Sequence, residues 1–278
     1  MKIIYFDTNI YNHIHKKDCI ADAGIQLLYE KVQNKSLLIV QSLFNIEEIF
    51  SAFEKDCNLA IGELTILKSF AENGHIIKDP MHLLYDDITG YVKGNTPCCP
   101  FISDQNIRLT IDNFLKNPAT TFDSVEITEI IDIVHAQKKT FQTDLLSAQN
   151  FSPLKKTKKI QYPFELFLKR NQKVFAEQLV NKYGLLDECK KKGIAGLLNF
   201  ESISLYIGIG LSFTYALEFE KRLPQKGDLH DQLHALSASV ADIFVTNDNK
   251  FLRLLKRIPV DNFIAMNLGE FLEYLSSV

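Results

Sequence analysis

The sequence lacks a long apolar run. A membrane-spanning helix needs about 20 consecutive apolar residues, and we find no stretch that approaches this length. Residues 1–6, although apolar, are too few to form a signal-peptide core. We therefore expect a soluble, cytoplasmic protein that does not bind a membrane.

Cysteine pairs with the spacing of metal ligands are also missing. The five cysteines are odd in number, and none forms a C-x-x-C motif, so neither a disulfide framework nor a zinc knuckle is indicated. We expect reduced thiols.

Positive charge is not in excess. The formal net charge is −3, whereas proteins with a large nucleic-acid-binding surface are usually basic. This balance argues against a large duplex-binding surface. It does not argue against an enzyme that holds a short single strand, because an acidic metal site is itself negative until cations bind.

What is present is an alternation of strands and helices at both ends of a globular chain. Short β-branched and aromatic runs alternate with segments of helical periodicity, which is typical of a parallel α/β sheet. Residues 74–225 have mainly helical patterns, so we interpret them as a helical insertion in a core of residues 1–73 and 226–278. The predicted strands are residues 2–6, 37–40, 243–246 and 262–265, and the predicted helices include residues 22–35, 43–71, 126–150, 164–183, 203–222, 231–240 and 249–257.

Acidic residues follow two of the predicted strands. Asp7 comes directly after the first strand, and Asp248 closely follows the strand at residues 243–246. Ligands of an open α/β sheet bind beyond the carboxyl ends of its strands, so both carboxylates are expected to border a binding site. The alternative for either residue alone is a helix N-cap.

Two further pairs of acids lie near predicted helix starts. Glu47 and Glu48 follow Ser42, and we choose Glu48 as the residue that points towards Asp7. Asp228 suits the N-cap of the helix after Gly227, whereas Asp231 lies one turn further on. If Asp231 is buried, its charge needs a partner. A divalent cation would provide one.

Histidines at i and i+4 lie beside Asp231. His230 and His234 have the spacing of zinc ligands, but the glutamate of an H-E-x-x-H motif is absent. We interpret them as surface or packed histidines. The carboxylates instead suit Mg²⁺ or Mn²⁺.

The acidic segments resemble the motifs of PIN-domain nucleases, in the same order along the chain. Ile4-Tyr5-Phe6-Asp7-Thr8-Asn9 is similar to the family's first strand and its D-T-N signature. Residues 42–48 resemble its second motif, and residues 231–235 its third. Residues 241–248 end in Thr246-Asn247-Asp248, which resembles the T-x-D of the fourth. The resemblance covers roughly the first 70 and last 50 residues.

The resemblance implies a three-layer α/β fold with a central parallel sheet and an acidic pocket for Mg²⁺ or Mn²⁺. It also implies hydrolysis of phosphodiester bonds in single-stranded RNA. Asp242 resembles a further acid of the last motif, but its position before a strand favours a structural role. Carried over by position, the catalytic and metal-binding acids are Asp7, Glu48, Asp231 and Asp248, and the supporting polar groups are Asn9 and Thr246. We also expect Asp228 to be a supporting residue of this site.

Two basic runs lie within the predicted insertion, at residues 155–159 and 190–192. Such runs are by default solvated, but they can also steer RNA phosphates towards the acids, with Tyr162 and Phe164 available for base stacking. The lysines that we predict to bind RNA are Lys155, Lys156, Lys158 and Lys159.

Two other functions stay open. One is a catalytically inactive PIN-like module that binds RNA or a protein, and the other is a metal-dependent phosphohydrolase of small phosphate esters. A homodimer is compatible with the sequence. A protein inhibitor is not indicated, because the family members that act as inhibited toxins are shorter.

Overall fold

The structure is a computed structural model, and it describes residues 1–17, 22–53, 55–71, 75–94, 98–116, 136, 163–222, 225, 227–260 and 263–277. Its strands form one parallel sheet in the order β3-β2-β1-β4-β5. The predicted α/β class with a central parallel sheet is therefore confirmed. The strands are β1 (Lys2–Phe6), β2 (Leu37–Ser42), β3 (Ile76–Ile77), β4 (Ile243–Val245) and β5 (Ile264–Met266).

Helices account for most of the remaining described residues. The predicted single helix over residues 43–71 is wrong, because Asp56 accepts a hydrogen bond from the Leu59 amide (3.0 Å) and starts a new helix there. The predicted helix over residues 126–150 lies outside the described residues, apart from Ala136. The helices are α1 (Thr8–Lys16), α2 (Asp22–Gln33), α3 (Leu43–Phe53), α4 (Cys57–Ala71), α5 (Pro80–Lys93), α6 (Gln105–Lys116), α7 (Phe164–Lys182), α8 (Leu186–Lys192), a 3₁₀ helix (Ile194–Asn199), α9 (Glu201–Phe219), α10 (Asp228–Ala238), α11 (Asn249–Leu255) and α12 (Leu268–Ser277).

Apolar side chains bury both faces of the sheet. Phe6 and its neighbours on one face pack against α1, α2, α4 and α12. Tyr5 and Phe244 on the other face pack against α5, α9, α10 and α11. Strands covered on both sides are apolar at successive positions rather than at alternate ones, which explains the unbroken apolar runs in the sequence. The result is a layer of helices on each side of the sheet.

The range that we assigned to the insertion, residues 74–225, also supplies part of this sheet. Ile76 and Ile77 pair with β2 as an edge strand that is too short to produce a periodic pattern. Leu83 of α5 packs on the sheet. Other residues of this range form a separate helical cluster around α7 and α9. The division into core and insertion stays a prediction.

Helix α9 is the one described helix whose length and composition would allow it to cross a membrane, which contradicts our finding of no such stretch. Of its most apolar window, 61% is buried inside the protein. Ile209 packs towards the sheet, whereas Leu211 belongs to the separate helical cluster. A helix that is buried on opposite sides is apolar all round.

Two glycines in α9 differ in the space around them, and this difference is testable. A Cβ on Gly208 would lie 2.6 Å from Cγ2 of Ile258, whereas one on Gly210 would lie 3.4 Å from Nε2 of Gln232. Gly208→Ala should lower the free energy of unfolding by about 1–2 kcal/mol, because overpacking outweighs the gain in helix propensity. Gly210→Ala should raise it by up to about 1 kcal/mol. Urea denaturation measures both, and equal effects would contradict the close packing at Gly208.

Candidate metal centre

The site lies where the direction of the sheet connections reverses. From β1 the sheet continues to β2 and β3 on one side and to β4 and β5 on the other. Ligands of doubly wound sheets bind at the carboxyl ends of strands beside such a switch point. Asp7 leaves β1 there, and its amide donates to the carbonyl of Val245 in β4 (3.0 Å). Asp7 and Thr246 therefore lie side by side.

The carboxylate of Asp7 is held from one side. Its Oδ2 accepts hydrogen bonds from Nδ2 of Asn9 (2.6 Å) and from Oγ1 of Thr246 (2.6 Å). Its Oδ1 lies 3.4 Å from Nε2 of His234. Asn9 and Thr246 thus orient Asp7, so that its Oδ1 faces His234 of α10.

Glu48 meets Asp7 from α3 and is bonded to two buried histidines. Its Oε1 lies 2.5 Å from Nδ1 of His230, and its Oε2 lies 2.8 Å from Nε2 of His234. The i, i+4 spacing places both rings on one face of α10. We did not predict either histidine as a site residue. The signal was their spacing beside Asp231, which we had tested only against a zinc motif.

Three side chains could hold a metal ion together. Asp7, Glu48 and His234 each offer one ligand atom, and these atoms all lie within 4.8 Å of one another. Two of the four predicted acids belong to this group. The donor set fits a divalent cation, although it contains an imidazole that we had not expected.

Burial and charge act against each other in this group. Burial raises the pKa of Asp7, and nearby His234 only partly opposes this rise. Burial also acts to raise the pKa of Glu48, but its contacts with His234 and His230 hold that pKa well below the ordinary value. The pKa of His234 lies well above its ordinary value, because Tyr5, Asp7 and Glu48 outweigh the effect of burial. A charged His234 therefore compensates part of the buried negative charge.

Asp231 and Asp248 lie near this group without belonging to it. Burial and the charges of Asp7 and Asp248 raise the pKa of Asp231 to about 8. Asp248 caps α11, since its Oδ1 accepts hydrogen bonds from the amides of Lys250 (2.7 Å) and Phe251 (2.9 Å). The structure therefore shows the helix cap that we kept as the alternative for Asp248, and the charge of this cap also acts on the site.

Asp228 has a different partner from the one that we expected. Helix α10 begins at Asp228 itself, with Gly227 at the N-cap position, so the predicted N-cap is wrong. The buried carboxylate of Asp228 forms a two-pronged ion pair with Arg222 and accepts a hydrogen bond from the Gln225 amide (2.9 Å). These contacts anchor the segment that enters α10.

The two adjacent glutamates of α3 have different surroundings. Burial and the charge of Asp79 raise the pKa of Glu47 to about 7, whereas Glu48 is in contact with His230 and His234. Of the two, the structure places Glu48 in the group with Asp7.

A buried polar network positions the ring of His234. Its Nδ1 lies 2.9 Å from the hydroxyl of Tyr5, which in turn lies 2.9 Å from Oγ of Ser42. Asn45 donates to the carbonyl of Phe6 (3.1 Å) and joins the network through Ser42. Such partners fix the orientation of a ligating imidazole.

The basic runs are only partly described. Lys155, Lys156, Lys158 and Lys159 lie outside the described residues, as does Tyr162, so their predicted contact with RNA stays a prediction. The second run ends α8, where Lys192 donates to the carbonyl of Tyr91 (2.5 Å).

Asp242 accepts a hydrogen bond from the Ile3 amide (2.7 Å), and β4 begins at the residue after Asp242.

Comparisons of the chain with protein families, with curated proteins and with solved structures find no match.

Glu63 is a buried carboxylate near the site that we did not single out from the sequence. Its exposed fraction is 4%, and burial and the charge of Glu48 raise its pKa from the ordinary value of 4.5 to about 7. The folded state therefore binds more protons than the unfolded state between these two pKa values. The stability that Glu63 contributes is lost as the pH rises through that window.

Glu63→Gln should accordingly stabilise the protein at pH 8 by about 2 kcal/mol and have little effect at pH 5. Urea denaturation in EDTA at both pH values measures the difference from wild type. Glu273→Gln, on the exposed side of α12, is the matched control and should leave the free energy of unfolding close to that of wild type. An equal effect of Glu63→Gln at both pH values would show that its pKa is not raised.

Proposed function

We propose that this chain is a metal-dependent ribonuclease with a PIN-like fold, which hydrolyses phosphodiester bonds of single-stranded RNA. The observation that carries the proposal is the meeting of Asp7 and Glu48 at the switch point of a parallel sheet, within reach of one cation. The charges of Asp231 and Asp248 act around the same place. The order of the four acidic motifs along the chain also supports a PIN-like nuclease.

Asp7, Glu48 and His234 would hold the cation, and His234 would lose its proton as the cation binds, because only a neutral imidazole ligates a metal. Oxygen ligands suit both Mg²⁺ and Mn²⁺, and the imidazole favours Mn²⁺ of the two. A cation held by these residues would supply Lewis-acid activation of the phosphoryl group and a more acidic attacking water.

The chain's own residues prepare this site before a substrate arrives. Asn9 and Thr246 fix the direction in which Asp7 points. Tyr5 fixes the ring of His234. Asp248 adds negative charge nearby, which increases the attraction for a cation. Asp231 would add its own charge once a bound cation lowers its raised pKa. Such preorganisation lowers the cost of placing the reacting groups.

One observation favours the alternative, a catalytically inactive PIN-like module that binds RNA or a protein. Both oxygens of Glu48 already contact imidazoles, so a cation must displace at least one of these contacts. A protein that keeps them would need no metal. Metal binding therefore separates the two functions.

Mn²⁺ should stabilise the wild-type protein, because binding to the folded state alone shifts the unfolding equilibrium. At a concentration of about 100 times Kd, the midpoint of thermal unfolding should rise by roughly 5 °C or more. Asp7→Asn should abolish this shift. Asp242→Asn is the matched control, since Asp242 binds the Ile3 amide rather than the metal group. Identical shifts in all three proteins would place the metal elsewhere.

Cleavage of a labelled single-stranded RNA tests the activity itself. Wild type and Asp242→Asn should cut the RNA with Mn²⁺ and not with EDTA. Asp7→Asn should be slower by roughly 100-fold or more, because removing a ligand should cost at least as much as removing one of the ligand's supporting contacts. Equal cutting by Asp7→Asn would reveal a contaminating nuclease or a different site. Metal binding without cutting of any RNA would favour the inactive module.

A further inference from the structure

A basic pocket of about 280 Å³ lies between the end of α9 and helix α11. Its charged lining consists of four cations, Arg222, Lys250, Arg253 and Arg257, and one carboxylate, Glu220. The whole chain contains more acidic residues (34) than lysines and arginines (31). The cations of the pocket are therefore a local concentration and not a consequence of a basic composition.

Two of the four cations are held in place by neighbouring groups. Arg222 is paired with the buried carboxylate of Asp228, and its guanidinium lies 5.3 Å from the ring centre of Phe213. Arg257 donates from Nη2 to Glu220 (2.8 Å). Ordered guanidinium groups lose little conformational entropy when they bind an oxyanion, and their planar fork fits phosphate oxygens.

Arg257 also has an N–H donor, at Nη1, that is not used in its ion pair with Glu220. Its Nη1 is buried and has no hydrogen-bond partner among the described residues. A buried donor without an acceptor costs about 1–3 kcal/mol. Because Arg257 also lines the pocket, an oxyanion bound there would supply this acceptor after a small movement of the guanidinium.

The other two cations lie at the exposed rim of the pocket. Lys250 and Arg253 are three residues apart on α11, so they lie on one face of the helix. Both side chains are exposed, and neither forms an ion pair within the part of the chain that the structure describes. They are placed to meet a charged ligand from solvent.

The walls of the pocket continue into the elements that surround the metal centre. Lys250 lies directly after the helix start that Asp248 caps. Arg222 is paired with Asp228, which lies one turn before Asp231 in α10. A polyanion that fills the pocket would therefore continue towards the acids at the carboxyl ends of β1 and β4.

We infer that this pocket binds a phosphate group of the single-stranded RNA beside the metal centre. The inference rests on the proposed function for the nature of the polymer, but not for the nature of the group, which is a phosphate oxyanion. A backbone phosphodiester and a free inorganic phosphate share this chemistry. Charge neutralisation by the pocket would also explain how a chain with net negative charge holds RNA.

Binding of fluorescein-labelled oligouridine, ten nucleotides long, is the first measurement, made in EDTA so that no cleavage occurs. The test variant is Lys250→Gln with Arg253→Gln, since both residues are exposed and leave the paired arginines intact. The matched control is Lys169→Gln with Lys173→Gln, which removes the same charge from the exposed face of α7. Circular dichroism and thermal unfolding confirm that all three proteins are folded.

The pocket variant should bind the RNA at least tenfold more weakly than wild type, with the control within twofold. The slope of log Kd against log salt concentration should be smaller for this variant than for wild type by about 1.4, because two phosphate contacts are lost. Equal weakening in both variants, or none in either, would overturn the inference. So would a wild type that binds no oligouridine.

Calorimetry with inorganic phosphate and pyrophosphate separates the two sources of the anion. Weak binding of these ions together with tight binding of oligouridine supports the backbone assignment. Tight binding of the free ions without any binding of oligouridine overturns it in favour of a site for a small phosphate. Because these measurements need no catalysis, failure of the inferred pocket is distinguishable from failure of the nuclease function. The latter shows as RNA binding without metal-dependent cutting.

Discussion

The arrangement of the site depends on buried negative charge at the carboxyl ends of two parallel strands. Asp7 is 6% exposed and meets Glu48 in a place where water can compensate little of their charge. His234 contacts both carboxylates, and its raised pKa favours the charged form of the ring. These three groups are oriented by the contacts of Asn9, Thr246, Tyr5 and His230.

The order of the strands in the sheet places these charged groups beside a crevice. Because β1 lies between β2 and β4, the crevice beyond β1 is bordered by α1 and α3 on one side and by α10 and α11 on the other. The carboxylates of Asp7 and Glu48 meet at the carboxyl end of β1, and the basic pocket is lined by α11 and by the segment that follows α9. Under the proposed function, the negative centre would bind a cation and the positive pocket an RNA phosphate, a combination that suits metal-assisted phosphodiester hydrolysis. The same combination would serve an inactive RNA-binding module only if the cation were never bound.

Helix α10 carries residues of both the carboxylate site and the ion pair beside the basic pocket. Asp228 fixes its start through Arg222 of the basic pocket, and Asp231 faces the charges of Asp7 and Asp248. His230 and His234 reach Glu48 on the opposite side of the crevice. A single helix therefore joins the basic pocket to the candidate metal centre, and its register decides whether both can form.

The sequence by itself determined the features that arise from local patterns. Apolar runs identified four of the five strands, and the position of Asp7 directly after such a run placed it at a carboxyl end. Only the tertiary structure decided what lies between distant segments. His230 and His234 contact a glutamate that is 182 and 186 residues away in the chain, and the cations of the basic pocket come from two separate segments. Periodicity records which face of a helix is buried, but not the charge that the opposing element brings to that face. For this reason Asp7 could be chosen from the sequence, whereas its imidazole partner could not.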